Sequence, residues 1–270
     1  MEPTAARDGE LLPGDTAPAG TVVVAENAGG RGKIILLCDH ASRRLPPEYG
    51  DLGLDEAARR AHIAWDPGAL GVSRHLSRRF DAPLVYPDLS RLVLDCNRDI
   101  AAHDLIPAIS ETTEIPGNRD LGAAERARRI ALAHTPFHSR IETLLDARAA
   151  AGLDSIVVSV HSFTPLYKGF DRPWPVGILS NRDRRVAEAM LADLAAQGIA
   201  DLGDNEPYAP GDGVYYTVGR HGEARGLPCV MIEVRNDEIA DDAGESLWAD
   251  RLGRALDAAL AQLAAEGRSG

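Results

Sequence analysis

Apolar residues fall along this chain in two alternating patterns. Short continuous runs occur at Ile34 to Cys38, Leu84 to Tyr86, Leu92 to Cys96, Ile156 to Val160, Val176 to Leu179 and Cys229 to Val234. Each is too short for a helix and reads as a strand buried on both faces. Between them, segments rich in Ala, Arg and Leu carry a helical period near 55 to 63, 67 to 80, 122 to 150, 183 to 197 and 244 to 266. This alternation predicts one α/β domain, with a mixed, mainly parallel sheet flanked by helices on both faces. Residues 1 to 20, rich in Pro, Gly, Ala and acids without period, read as a flexible arm, which leaves 21 to 270 as the domain. Two stretches, 99 to 121 and 198 to 213, are long and rich in Pro, Gly and Asn, as functional lids or binding loops are.

Composition narrows the function. A formal charge of −12 over 270 residues, with no basic tract, argues against nucleic acid as a partner. No apolar stretch is long enough to cross a bilayer and no basic, then apolar, leader opens the chain, so a cytoplasmic protein with no membrane partner is expected. The three cysteines, Cys38, Cys96 and Cys229, lie in apolar runs without CxxC spacing, as buried reduced thiols do. A phosphate-cradling glycine loop and a GxSxG elbow are both absent. Nothing in the sequence speaks to oligomeric state.

The chemistry gathers where strands end. The run Ile34 to Cys38 leads into Asp39-His40-Ala41-Ser42, and Ile156 to Val160 leads into His161-Ser162. Ligands of open α/β sheets collect at the carboxyl ends of strands, so two histidines there can face one site. Imidazole is the commonest zinc ligand, and a catalytic zinc takes three protein ligands and leaves one position for water. For the third ligand, Asp66 in Trp65-Asp66-Pro67-Gly68 is the first choice, although an Asp before Pro equally suits a helix cap. Asp39 is a second candidate, or a group that orients a histidine.

Glu233 stands inside the apolar run Met231 to Val234. A carboxylate there must be salt-bridged, for instance to Arg235, metal-bound, or at the lip of a pocket, where it can serve as a general base. Arginine suits bidentate recognition of a carboxylate, which points to Asn97 and Arg98 as a clamp, with Arg91, Arg235 and His221 as further pocket contacts. His62 is ambiguous because it is close to Asp66, while His75, His103, His134 and His138 read as packing or surface residues.

Six segments in order carry a resemblance: Cys38-Asp39-His40-Ala41-Ser42, Trp65-Asp66-Pro67-Gly68-Ala69, Ser90 to Arg98, Val160-His161-Ser162-Phe163-Thr164-Pro165, Arg172-Pro173-Trp174 and Ile232-Glu233-Val234-Arg235. Over residues 22 to 240 the chain resembles the N-formylglutamate amidohydrolase family, in its branch with the Asp-His-Ala-Ser start. That family is similar to zinc carboxypeptidases and aspartoacylase, in which two histidines and a glutamate hold zinc and a late strand carries a glutamate base. The resemblance implies His40 and His161 as zinc ligands, Glu233 as the base, Asn97 and Arg98 on the substrate carboxylate, and Arg91 on the scissile carbonyl. It also shows a departure: Arg43 stands where the carboxypeptidase pattern has its zinc glutamate, so the third ligand comes from elsewhere, and Asp66 is the residue that fits the family's own motif.

The expected activity is hydrolysis of an N-formyl or other N-acyl amide of a small carboxylate-bearing substrate, such as N-formyl-L-glutamate. Its expected cofactor is Zn2+, although two imidazoles and a carboxylate also accept other divalent transition metals. A peptidase or deacylase acting on another N-acyl amino acid is one rival. A metal-free carboxylate-binding protein is the other.

Overall fold

A computed structural model describes residues 22–269, so the expected arm at residues 1 to 20 lies outside the described residues. In chain order the strands are β1 (Val23–Glu26), β2 (Ile34–Leu37), β3 (Leu84–Pro87), β4 (Ile109–Ser110), β5 (Thr113–Glu114), β6 (Ile156–Phe163), β7 (Leu166–Tyr167), β8 (Phe170–Asp171), β9 (Val176–Leu179), β10 (Gly203–Asp204) and β11 (Cys229–Arg235). The helices are α1 (Glu56–Arg60), α2 (Ala69–Phe80), α3 (Ala123–Arg129), α4 (Thr135–Ala150), α5 (Arg185–Ala196), α6 (Tyr216–His221) and α7 (Asp242–Ser269). Seven strands form one sheet in the order β1-β3-β2-β6-β11-β9-β10. The centre, β3-β2-β6-β11, is parallel, whereas β1 and β9 run antiparallel to their inner neighbours. The expected mixed, mainly parallel single-domain α/β fold is the one observed.

Side-chain alternation along each strand sorts the interior into two cores, as the two-residue repeat of a strand requires. Ile35, Leu37, Val157 and Met231 pack with Phe137, Ile141 and Leu145 of α4 and Val218 of α6. Ile34, Leu36, Val158, Val160, Val230 and Ile232 pack on the opposite face with Val72 and Leu76 of α2, Met190 of α5 and Trp248 of α7. Ser159, His161 and Glu233 therefore continue the rows that face α4 and α6. In the parallel β6–β11 ladder Glu233 is the register partner of His161.

Four details differ from the sequence reading. Leu92 to Cys96 is not a strand but a buried turn-rich segment. Its side chains are as buried as a strand's, but Ser90 Oγ accepts from Leu92 N at 3.2 Å and Asp95 Oδ1 from Asn97 N at 2.8 Å, which supplies locally the bonds a ladder would give. His161 lies within β6 rather than beyond it. The helix expected over 122 to 150 is interrupted by a π-helical turn at Ile130–His134, just before Pro136, whose ring offers no N–H to a regular α-helix. Finally, β1, β10 and α6 carried too little pattern to be recognised. Within the long loops, β4 and β5 pair into a small hairpin in 99 to 121, and β10 lies in 198 to 213.

Among the described residues, no helix is long and apolar enough to cross a membrane.

Candidate metal centre and active-site pocket

Three segments bring one group together. His40 follows β2, His161 lies on β6, and Asp66 sits in the turn before α2, where its backbone N–H donates to the His40 carbonyl at 2.9 Å. Gly68, with φ 79°, holds the cap position of α2, and a Cβ there would lie 2.3 Å from the Ile239 carbonyl oxygen, so the turn needs glycine. The Asp66 side chain does not cap that helix. Its Oδ2 faces His40 Nδ1 at 3.3 Å and His161 Nδ1 at 3.0 Å and accepts from Ser162 N at 3.3 Å. One ligand atom from each of His40, Asp66 and His161 lies within 4.8 Å of the others, and all three residues are buried.

The far side of each ring is held by a carboxylate. His40 Nε2–H donates to Asp95 Oδ1 at 2.7 Å. His161 Nε2–H donates to Ser159 Oγ at 2.9 Å, with Asp39 Oδ2 at 3.2 Å, and Ser159 Oγ in turn donates to Asp39 at 2.8 Å. Thr217 Oγ1 donates to the other oxygen of Asp39. With the Nε2 protons engaged in this way, neutral rings would turn both Nδ1 lone pairs on a carboxylate oxygen, so the arrangement calls for positive charge there, whether protons on Nδ1 or a metal ion. Burial alone would depress the pKa of each ring, yet His161 is raised well above its ordinary value by Asp39 and Asp66, and His40 is raised by Asp95 and Asp66. Burial likewise would raise Asp66, but His40 and His161 outweigh it and hold it well below the carboxylate range. The donor set, with two imidazole nitrogens, one carboxylate and second carboxylates fixing the tautomers, fits a divalent transition metal.

These residues line a cavity of about 250 Å³. Glu233 reaches it from β11; it is buried, its Oε2 has no hydrogen-bond partner among the described residues, and burial pushes its pKa up to about 7 against the pull of His161. Arg91 lines the cavity too, donating to Asp95 Oδ2 at 2.6 Å and lying 3.5 Å from Asp66 Oδ1. His62 has a buried Nδ1 with no hydrogen-bond partner among the described residues, 3.7 Å from Asp66 Oδ1, and burial lowers its pKa to about 4. The wall is completed by Ile109 and Ser110 of the β4–β5 hairpin and by Tyr167 and Tyr208.

Other expected contacts are arranged differently. Asn97 and Arg98 line the cavity, but their polar groups are engaged within the protein. Asn97 donates Nδ2 to the Val214 carbonyl and accepts from Thr217 N at 2.9 Å; Arg98 donates to Asp104 at 2.9 Å and to the Gly213 carbonyl at 2.8 Å. Together they tie down the segment leading into α6. Arg235 lies off the cavity wall and donates to Asp237 at 2.7 Å and to the Pro173 carbonyl at 3.0 Å, not to Glu233. His221 lies in the core, because α6 turns its ring toward α4. Sequence reading gave no role to Asp95, Ser159, Thr217, Tyr167 or Tyr208, although all but Tyr167 fell in segments already singled out, Tyr208 in the 198 to 213 loop.

His221 belongs to a buried histidine pair. His138 Nε2–H donates to the Cys96 carbonyl at 3.0 Å, so its Nδ1 accepts from His221 Nε2–H at 2.7 Å. Both rings are therefore neutral, and burial lowers their pKa values to about 3 for His138 and about 4 for His221. Below about 6.5 the unfolded chain binds protons that the folded rings refuse, so the stability held in this pair is complete above that pH and is lost as pH falls toward 4. The melting temperature should fall over this interval, and His221→Gln, which keeps an N–H donor without a titrating ring, should flatten the slope; equal slopes would rule the pair out.

The comparisons with known proteins follow the same lines. The family model described as "N-formylglutamate amidohydrolase" matches residues 32–240. The chain is 44% identical to the gene product Atu2144 from Agrobacterium tumefaciens, whose crystal structure it matches with a TM-score of 0.88 over 90% of this chain and 96% of that one. It is 17% identical to the N-formylglutamate amidohydrolase from Ralstonia eutropha JMP134, with a TM-score of 0.63 over 88% of this chain and 96% of that one, a likeness of fold. A comparison with curated proteins gave no match. With its family model covering most of its length, this chain belongs to the N-formylglutamate amidohydrolase family.

Proposed function

We propose that this chain is a zinc-dependent amidohydrolase that removes the formyl, or another small acyl, group from the nitrogen of a small carboxylate-bearing compound, with N-formyl-L-glutamate as the reference substrate. The observation that carries this reading is the convergence of His40 Nδ1 and His161 Nδ1 on Asp66 Oδ2 beside the unpartnered Oε2 of Glu233. His40, Asp66 and His161 would hold the metal, which when bound supplies the Lewis acidity that makes water a nucleophile near neutral pH and polarises a carbonyl. The cavity's small volume suits an amino-acid derivative better than a polymer.

Within that site Glu233 takes the proton from the water that adds to the acyl carbon. The pKa of about 7 that burial gives it lies where a general base and a general acid are both effective. Glu233 then delivers that proton to the departing nitrogen as the C–N bond breaks, and the products are formate, or another carboxylate, and the free amine. Arg91, anchored by Asp95, keeps N–H donors beyond those that Asp95 and Asp66 occupy, and these stabilise the negative charge that develops on the acyl oxygen. Asp39 and Asp95 hold the two imidazoles in the tautomer and orientation that ligation needs.

The test is elemental analysis of freshly purified protein alongside its His161→Ala variant, followed by an assay of formate release from N-formyl amino acids. About one zinc per chain in the wild type, lost in the variant, with formate released, is the expected result. Acetate or a free amino acid released from other N-acyl compounds, with no formate, would move the acyl specificity. Protein that binds no metal in a His161-dependent manner would reject the scheme in favour of a metal-free carboxylate-binding protein.

A further inference from the structure

Three arginines lie at or just behind the cavity wall, and two of them are committed. Arg91 is paired with Asp95 and Asp66, and Arg98 with Asp104 and two backbone carbonyls. Arg172 is different. It is buried, 7% exposed, and no carboxylate among the described residues forms an ion pair with it. Three rings enclose its guanidinium instead, with the carbon 4.3 Å from the Tyr167 centroid, 4.7 Å from Tyr208 and 5.6 Å from Phe163. Its one side-chain hydrogen bond within the described residues runs from Nη1 to the Tyr208 hydroxyl oxygen at 3.1 Å.

Two of these rings, Tyr167 and Tyr208, form part of the cavity wall beside Glu233 and Arg91. Tyr208 Oη accepts from Arg172, and its own hydrogen finds no acceptor among the described residues, so it is available to a ligand. The backbone of Arg172 is fixed on both sides: its N–H donates to the Pro165 carbonyl at 2.8 Å, and its carbonyl accepts from Arg235 Nη1 at 3.3 Å. Arg235, expected to touch substrate, thus acts one step behind Arg172.

A buried guanidinium without a counter-ion is costly, and ring faces offset only part of that cost. We infer that Arg172 and Tyr208 form the seat of the substrate's carboxylate, with Tyr208 donating its O–H to one carboxylate oxygen and Arg172 supplying the compensating charge and its unused N–H groups. The proposal rests on the amidohydrolase reading for the identity of the substrate, but the seat itself is a statement about carboxylate binding. It assigns to Arg172 the recognition that sequence reading gave to Asn97 and Arg98, whose polar groups hold the 213 to 217 segment. It also explains why the two elements that carry the seat, the β7–β8 hairpin with its flanks and the loop before α6, lie outside the sheet: the carboxylate would be held by the parts of the chain most able to adapt.

The experiment is calorimetric titration of the metal-loaded, full-length protein with succinate, a carboxylate that cannot be hydrolysed, and with succinamide as its neutral counterpart. Succinate is expected to bind the wild type and to lose affinity by on the order of 30-fold or more in Arg172→Met, the loss typical when one partner of a buried charge pair is truncated. Succinamide should bind weakly and equally to both. Tyr208→Phe, which changes a half-buried hydroxyl and spares the packing, should weaken succinate without weakening succinamide. Succinate binding that is unchanged in either variant would overturn the proposal, as would its absence in the wild type. Formate release, measured separately, keeps the two ideas apart: Arg172-dependent succinate binding without hydrolysis of any N-acyl amino acid would sink the reaction and leave the seat standing, whereas hydrolysis whose KM is indifferent to Arg172→Met would do the reverse.

Discussion

Replacing Glu233 with Gln should lower kcat by about 10²- to 10⁴-fold, the usual contribution of a positioned general acid–base group. Glutamine matches the volume of glutamate and can occupy the same place on β11 between Met231 and Arg235, so neither the sheet nor the triad should be disturbed. The variant should therefore keep the zinc stoichiometry of the wild type and bind substrate with little change in KM, because its loss falls on proton transfer and not on binding. Kinetics and metal analysis on one preparation are the check. A variant that retains kcat would remove Glu233 from the reaction, and one that loses metal would make it a structural neighbour of the triad.

The second large effect concerns residues that do not touch the metal position. Asp95→Asn and Asp39→Asn should each weaken zinc binding by about 10- to 100-fold, as loss of a group that orients a ligating histidine does. The asparagine side chain can still accept from one imidazole N–H, but it no longer carries the charge that supports the ring's basicity. Asp95 also accepts from Arg91 and from Asn97 N, and Asp39 from Thr217 and Ser159, so each substitution disturbs a connected set of bonds. Competition with a chelator of known affinity reads the change directly. Zinc affinity equal to that of the wild type in both variants would mean that the imidazoles are oriented by packing alone.

How much of this was legible in the sequence depended on the physical signal. Strands β2, β6, β9 and β11 are short apolar runs buried on both faces, and residue type alone marks them. His40 and His161 stood out because two imidazoles follow two such runs, and Glu233 because an acid inside one is costly without a purpose, whereas Asp66 was a candidate only as the carboxylate that would complete a ligand set. Leu92 to Cys96 misled for the same reason: burial of an apolar run is shared by strands and by well-satisfied turns, and only the bonds from Ser90 and Asp95 distinguish them. Whether Asp66 caps a helix or faces two imidazoles depended on the direction of one side chain. Asn97 and Arg98 have the chemistry to hold a carboxylate, yet their partners at Val214, Thr217 and Gly213 are more than 100 residues away in sequence. Arg172 stood in a motif without a role, because a cage built from Phe163, Tyr167 and Tyr208 exists only once the end of β6 and the β7–β8 hairpin fold against the loop before α6.

The lateral pairing of His161 with Glu233 in the β6–β11 ladder has a consequence for how such a protein can change. Backbone hydrogen bonds hold these two residues side by side, so their separation is fixed by the spacing of the sheet, at about 4.8 Å between strands. The groups that would greet different substrates, Tyr167, Tyr208 and the β4–β5 hairpin, hang from loops that share none of those bonds. New specificities can therefore arise through insertions, deletions and substitutions in the loops while the bond-breaking half is inherited intact.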